Sequence, residues 1–303
     1  MNVWTQHEGD PYPSRIGASP RLIPRAEPVV YGMRSGKSPL THEQIASYEK
    51  NGFLDLAFDW GGEFCRMASE LSRLRHDRSS LPPETAIEEP DSGALRSVFR
   101  VHIASEIFAG ILTSGPLLDI ARFLLDDDIY IHQSRLNYKP GFRGREFYWH
   151  SDFETWHVED GMPRMRALSM SIALTPNTAH NGPLMLVRGS HKYFIACAGQ
   201  TPDENYKRSL KKQDIGVPDD EMLARLVAEG GIEASVGPAG IVTIFDCNTI
   251  HGSNGNITPA PRSNVFVVYN SIGNRLRAPF GGKPPRPEFL AERSAVPIRL
   301  RGA

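Results

Sequence analysis

His150 and Asp152 stand one residue apart in the stretch "FYWHSDFETWH" (147–157), and His251 follows the apolar run "GIVTIFD" about a hundred residues later. Two imidazoles and one carboxylate on one side of a metal, with the other side open, would make a non-haem Fe(II) site of the two-histidine, one-carboxylate kind. The aromatic density of 147–157 predicts a strand, on which His150, Asp152, Glu154 and Trp156 share one face. Ser151, Phe153, Thr155 and His157 take the other. Composition alone would give about 1.2 His-x-acid pairs, and the chain has two, 150/152 and 157/159, so the pair carries weight only through its surroundings. Positions i and i+2 of a strand present two ligands together. His251 lies between an apolar strand and a Gly-Ser-Asn-Gly loop, where a barrel would open to a ligand. Arg262 starts the next apolar run and could pair bidentately with a carboxylate bound beside the metal. His157 lies on the opposite face; His180 and His191 flank "NGPLMLVRGSHK", with His191 the next candidate ligand. From the residues alone, a metal site and a polar sheet edge both stay open for His150, Asp152 and His251.

The elements that must position these residues divide the chain in two. Residues 1–40, rich in proline and arginine, read as an N-terminal arm; 41–303 read as a single catalytic domain. Thr41 and Gln44 form a capping box for a helix that Gly52 ends. "EFCRMASELSRLR" repeats Phe64, Met67, Leu71 and Leu74 at helical spacing. "PPETAIEEPDSG" reads as a loop, and "SEIFAGILTSGPLLDIARFLLDD" as two helices broken near Gly115-Pro116. From residue 129 on, short β-branched or aromatic runs bounded by Gly, Pro, Asn and Asp predict strands, interrupted by one helical insert near 217–230. Helices followed by many strands predict an α+β fold with a mainly β core, a sandwich or barrel.

The 303 residues carry a net charge of -1, with 40% hydrophobic and 23% charged residues. That gives no reason to expect nucleic acid or an anionic membrane as partner. No apolar run is long enough to span a bilayer, and "MNVWTQHEGD" lacks the features of a signal peptide. Cys65, Cys197 and Cys247 form no CxxC pair and predict free thiols. The expectation is a soluble cytoplasmic protein.

"HSD", "NGPLMLVRGSHK" and "HGSNGN…R" in this order resemble the phytanoyl-CoA dioxygenase superfamily of Fe(II)- and 2-oxoglutarate-dependent oxygenases. That resemblance implies a double-stranded β-helix, a jelly-roll or cupin-like barrel with flanking helices. "IHQSRLNYKPGF", "FYWHSDFETWHVEDGMPRMRALSMSIALT" and "IFDCNTIHGSNGNITPAPRSNVFVVYNS" look like the signature of its ectoine 5-hydroxylases, over roughly residues 30–290. Carried over residue by residue, the resemblance implies His150, Asp152 and His251 as Fe(II) ligands and catalytic centre. It implies Phe147, Asn137, Ser253 and Arg262 as contacts of 2-oxoglutarate, and Gln133, Arg135, Trp156, Phe245, Asn264 and Phe266 as contacts of ectoine. It further implies O2 as co-substrate, hydroxylation at C5 in osmotic stress protection, and a homodimer.

Gln133, Arg135 and Asn137 alternate along one strand and would project together. Periodicity leaves open whether that face is buried or wet, since the opposite face is not clearly more apolar. Trp156 could stack on a cation or belong to the core. Three rival readings stand beside the resemblance. One is a related hydroxylase acting on another small amino or imino acid. The second is a zinc hydrolase on a cupin-like barrel, with Glu154 as its base. The third is a non-enzymatic binding module.

Overall fold

The structure is a computed structural model that describes residues 9–17, 19–32, 38–89 and 93–299. Strand β1 (Arg21–Pro24) precedes helix α1 (His42–Asn51). Thr41 Oγ1 accepts from the Gln44 amide, and Gln44 Oε1 accepts from the Thr41 amide, which closes the expected capping box. The chain turns at Gly52 (φ 84°) into β2 (Phe53–Leu56). Helix α2 (Gly62–His76) buries Met67 and Leu74. The loop expected over "PPETAIEEPDSG" contains a short edge strand, β3 (Ala86–Glu88), drawn in by pairing with β4 (Leu95–Phe99); residues 90–92 lie outside the described residues. Helices α3 (Val101–Ala104), α4 (Glu106–Leu112) and α5 (Gly115–Leu125) follow, the break falling at Thr113-Ser114, just before Gly115-Pro116 opens α5.

The second half supplies β5 (Ile129–Lys139), β6 (Phe147–His150), α6 (Asp152–Thr155), β7 (Ala167–Ala173), β8 (Leu184–Val187) and β9 (Tyr193–Ala196). Then come α7 (Tyr206–Ser209), α8 (Asp220–Gly230, the helical insert), β10 (Ile232–Ala234), β11 (Val242–Asp246), β12 (His251–Ser253) and β13 (Arg262–Ser271). A seven-stranded sheet runs in the order β2-β11-β7-β13-β5-β4-β3, and a four-stranded sheet in the order β10-β8-β12-β6, with antiparallel pairing throughout. These are the two faces of the expected jelly roll. β1 pairs with β9, so part of the N-terminal arm is built into the sheet structure.

One face of the large sheet carries Val98, Leu136, Met170, Ile172, Ile244, Val265 and Val267, packed in one apolar core with α4 and α5. The opposite face of β5 and β13 is therefore the barrel interior. Cross-strand pairs there read Lys139↔Arg262, Asn137↔Asn264, Arg135↔Phe266 and Gln133↔Val268, a polar row inside the barrel rather than a solvated edge. Beyond Gln133 the register slips at Val268/Tyr269, so that His132 is the extra residue of a bulge. Bulges re-aim side chains and are common beside active sites.

The predicted strand over 147–157 ends at His150. Ser151 caps helix α6, its Oγ accepting from the Glu154 amide, and α6 runs on into a π turn over Trp156–Asp160. Asp152, Glu154 and Trp156 thus belong to a helical turn and not to one strand face.

Gly52 fixes where α1 meets the site-bearing loops. A Cβ there would lie 2.4 Å from His191 Nδ1 and 2.7 Å from Thr249 Oγ1, at a left-handed φ. Gly52→Ala is expected to destabilise the fold by about 2 kcal/mol or more, from the positive φ and the overpacking together. A urea midpoint equal to that of the parent would show that neither constraint is real.

Candidate functional site

β6 and β12 are neighbours, and His150 and His251 are direct register partners with ring centroids 4.2 Å apart. Asp152 is delivered from the first residue of α6, one step past the cap. Its Oδ1 lies 3.7 Å from His150 Nε2 and its Oδ2 3.8 Å from His251 Nε2. The Nδ1 atoms sit 2.8 Å from the Tyr148 carbonyl and 2.9 Å from the Thr249 carbonyl. Donation to those carbonyls leaves both Nε2 lone pairs facing the carboxylate, the arrangement that orients histidine ligands. Among the described residues, His150, Asp152 and His251 form the one cluster of His, Cys, Asp or Glu suited to a metal.

The electrostatics agree with that use. Burial, with His150 alongside, lowers the His251 imidazole to about 4, so it is neutral near pH 7. Burial would raise the Asp152 carboxyl, but His251, His150 and Arg135 outweigh it and hold it well below the ordinary carboxylate range. Ser169 Oγ donates to Asp152 Oδ2 at 3.3 Å. A neutral His251 and an ionised carboxylate on the side that His150 also faces suit Fe(II).

Beside the triad opens a cleft lined by Arg135, Asn137, Phe147, Ser253, Arg262 and Phe266 among others. Arg262 is 2% exposed, and its Nε and Nη1 have no hydrogen-bond partner among the described residues. Burial pulls its guanidinium down to about 10. An unpaired buried cation is costly, and a carboxylate is the ligand that satisfies its fork. Arg135, with Nε also unpartnered, lies over the Phe266 ring at 5.1 Å and the Phe99 ring at 6.0 Å. Phe147 sets its ring edgewise to His150 at 4.9 Å.

Four of the residues assigned by resemblance do not form the cleft's surface. Trp156 is buried in a second apolar cluster, edge to face with His132 at 5.1 Å. Gln133 Nε2 donates to the Leu290 carbonyl and its Oε1 accepts from Arg135. Phe245 packs 5.0 Å from His251. Asn264 donates to Ser171 Oγ, its Oδ1 being unpartnered among the described residues. The alternatives of the sequence reading also find their places. His191 contacts the Glu49 carbonyl, His157 bridges Asp10 and the Met162 carbonyl, and His180 is exposed. Glu154, the base a zinc hydrolase would need, is bound to Arg15 in a buried ion pair.

Two cationic residues of the cleft were missed. Lys139 Nζ donates to Ser253 Oγ at 2.8 Å and to the Asn254 carbonyl at 2.5 Å. The alternation 133-135-137 reaches it with one more step. Arg96, paired with Glu89 at 3.0 Å and set over the Phe147 ring, carried no signal in the sequence.

Comparison with known proteins decides the family. The model of the phytanoyl-CoA dioxygenase (PhyH) family matches residues 48–264. The chain belongs to this family. An ectoine dioxygenase of Sphingopyxis alaskensis is 52% identical over 293 residues, 96% of this chain and 95% of that one. The crystal structure of EctD from S. alaskensis with 2-oxoglutarate and 5-hydroxyectoine superposes with a TM-score of 0.88 at 48% identity, covering 96% of this chain and 98% of that chain. The same protein with bound Fe gives a TM-score of 0.87 at 47% identity.

Proposed function

We propose that this chain is an Fe(II)- and 2-oxoglutarate-dependent dioxygenase that hydroxylates ectoine at C5 to 5-hydroxyectoine. The observation that carries this reading is the buried, unpaired Arg262 in a cleft beside the facial His-Asp-His triad. A zinc hydrolase has no use for such a cation, and Glu154, the candidate base it would need, is engaged by Arg15. Ectoine in place of another small imino acid is supported by the ectoine dioxygenases near 50% identity over nearly the whole chain.

His150, Asp152 and His251 hold the iron, which with 2-oxoglutarate and O2 supplies the oxidising power for C–H hydroxylation, with succinate and CO2 as co-products. Arg262 pairs with the distal carboxylate of 2-oxoglutarate, supported by Ser253, Asn137 and the ring of Phe147. Arg135, held over Phe266, offers its positive charge to the carboxylate of ectoine. Gln133, Trp156, Phe245 and Asn264, none of which lines the ligand-free cleft, are assigned to the substrate side by the resemblance alone, Trp156 as a cation–π partner. The protein's share of the chemistry is orientation, charge and exclusion of water. Residues 41–303 act as one catalytic domain with 1–40 as its arm. The resemblance further supports a cytoplasmic homodimer, which sedimentation would test. No single helix among the described residues is long and apolar enough to cross a membrane.

Anaerobic protein given Fe(II), 2-oxoglutarate and ectoine, then air, is expected to form succinate in step with C5-hydroxylated ectoine, read by mass spectrometry and NMR. Succinate without the hydroxylated product would keep the oxygenase and discard the substrate.

Lys139 adds a pH dependence. Burial, then Arg262 and Arg96, lower its amine to about 6 against the opposing pull of Glu89 and Glu146. It is therefore mostly neutral at pH 8 before the anion arrives, and a dianion beside it raises its pKa again. Binding of 2-oxoglutarate at pH 8 is expected to take up a proton, and affinity falls as pH rises from about 6 up to the raised pKa of the complex. Calorimetry in buffers of different ionisation enthalpy measures the uptake; an enthalpy independent of buffer would remove Lys139 from this role.

A further inference from the structure

The segment that follows Asp152 is held from outside by one residue of the N-terminal arm. Arg15 adopts φ 56°, in the left-handed region unusual for a residue with a side chain, and its side chain is 1% exposed. Its Nε and Nη2 donate to the two carboxylate oxygens of Glu154 at 2.9 and 2.6 Å, and its Nη1 donates to Glu159 Oε1. Ser14 Oγ adds a bond to Glu154 Oε1, and Asn205 Nδ2 one to Glu159 Oε1. The backbone is fixed by Arg15 N–H to the Cys197 carbonyl at 2.9 Å. Gly216 leaves room for all this: a Cβ there would fall 2.3 Å from Arg15 Nη2 and 2.4 Å from Glu154 Oε2.

The spacing of the two carboxylates is informative. Glu154 and Glu159 are five residues apart, which on an α-helix places them about 140° apart around the axis, too far round for one fork to face both. Here Trp156–Asp160 form a π turn, with the Gly161 amide donating to the Trp156 carbonyl. Closure at i+5 widens the turn and brings both carboxylates to one side. Such turns are rare and occur mostly at functional sites, so this one needs tertiary support. In sequence Trp156 lies between the two carboxylates, and Asp160, the residue after Glu159, is braced from elsewhere by Arg286 at 2.6 Å.

We propose that Arg15 is a positioning residue that holds Trp156–Asp160 in its π turn and so sets where the Trp156 ring lies relative to Asp152. Without the bridge between positions 154 and 159 the segment relaxes toward α-helical spacing, and the Trp156 ring rotates out of its place against His132. Only the consequence for ectoine binding rests on the proposed function; the placement of Trp156 does not.

The test uses the full chain labelled with 5-fluorotryptophan and loaded with Zn(II) and 2-oxoglutarate, the Trp156 resonance being assigned by its loss in Trp156→Phe. In Arg15→Gln and in Glu159→Gln the Trp156 fluorine resonance is expected to shift or broaden, while that of Trp60, packed on Phe58 and the Gly240 carbonyl, stays in place. Calorimetric ectoine affinity should fall about tenfold or more, in the range typical of residues that orient a ligand-bearing group, with 2-oxoglutarate affinity within about twofold. A Trp156 resonance at its parent position in the variants overturns the proposal. If Arg15→Gln also loses the Trp60 resonance, Glu159→Gln, which keeps the Arg15–Glu154 pair, decides. A displaced Trp156 with unchanged ectoine affinity would uphold the clamp and remove Trp156 from the substrate contacts.

Discussion

Asp152→Ala is expected to bind Fe(II) more than about 100-fold more weakly than the parent and to form no 5-hydroxyectoine above background. Removing a residue that merely orients a metal ligand costs about 10–100-fold in affinity or activity, and Asp152 is itself the carboxylate that faces both Nε2 atoms. Its loss leaves two buried imidazoles 4.2 Å apart with no anion between them to offset a divalent charge. No other cluster of His, Cys, Asp or Glu suited to a metal exists among the described residues to take over. Titration of the metal-free variant with Fe(II), alongside product analysis, measures both effects. Stoichiometric iron at parent affinity would place the carboxylate ligand elsewhere.

Arg262→Leu should move binding and stability in opposite directions. Truncating one partner of a buried, hydrogen-bonded charge pair costs about 2–5 kcal/mol, so the dissociation constant of 2-oxoglutarate is expected to rise by roughly 100-fold. Iron content stays near that of the parent, since Arg262 is not among the three ligands. In the ligand-free chain, however, Arg262 is a buried cation with unpartnered nitrogens, held down to about 10 by desolvation. Apolar replacement of buried charge is often neutral or stabilising by about 1–4 kcal/mol. The ligand-free variant is therefore expected to melt above the parent, and saturating 2-oxoglutarate to reverse the order. Unchanged affinity for 2-oxoglutarate would end the clamp assignment; a lower ligand-free melting point would show that Arg262 has a structural partner after all.

Much of the barrel could be read before any coordinates, because its strands announce themselves by composition and its first helix by a capping box at Thr41 and Gln44. The metal triad was within reach for the same reason, His150 and His251 lying in or at the edge of recognisable strands. The misreading of 147–157 has a definite cause. Its aromatic residues favour a strand, but Ser151 followed by Glu154 is also a helix N-terminus pattern, and the cap prevailed. No local pattern betrays the π turn, since the bridge that supports it comes from Arg15, some 140 residues away in sequence. Nor could alternation show that the Gln133–Arg135–Asn137 face is interior, a fact settled only by α4 and α5 covering the opposite face of the sheet. Arg96 was invisible because an arginine in a short strand looks the same whether it faces water or a cleft.

The direct pairing of His150 with His251 means that an ion bound there ties together two points of the chain separated by about 100 residues. In that respect iron behaves as a reversible cross-link. A covalent bridge closing a loop of that length would restrict the unfolded chain by about 4–5 kcal/mol. The lifetime of the folded chain is then coupled to the supply of metal: starved of iron, the protein loses a fastening along with its reagent, and amide hydrogens of β6 and β12 should be the first to exchange.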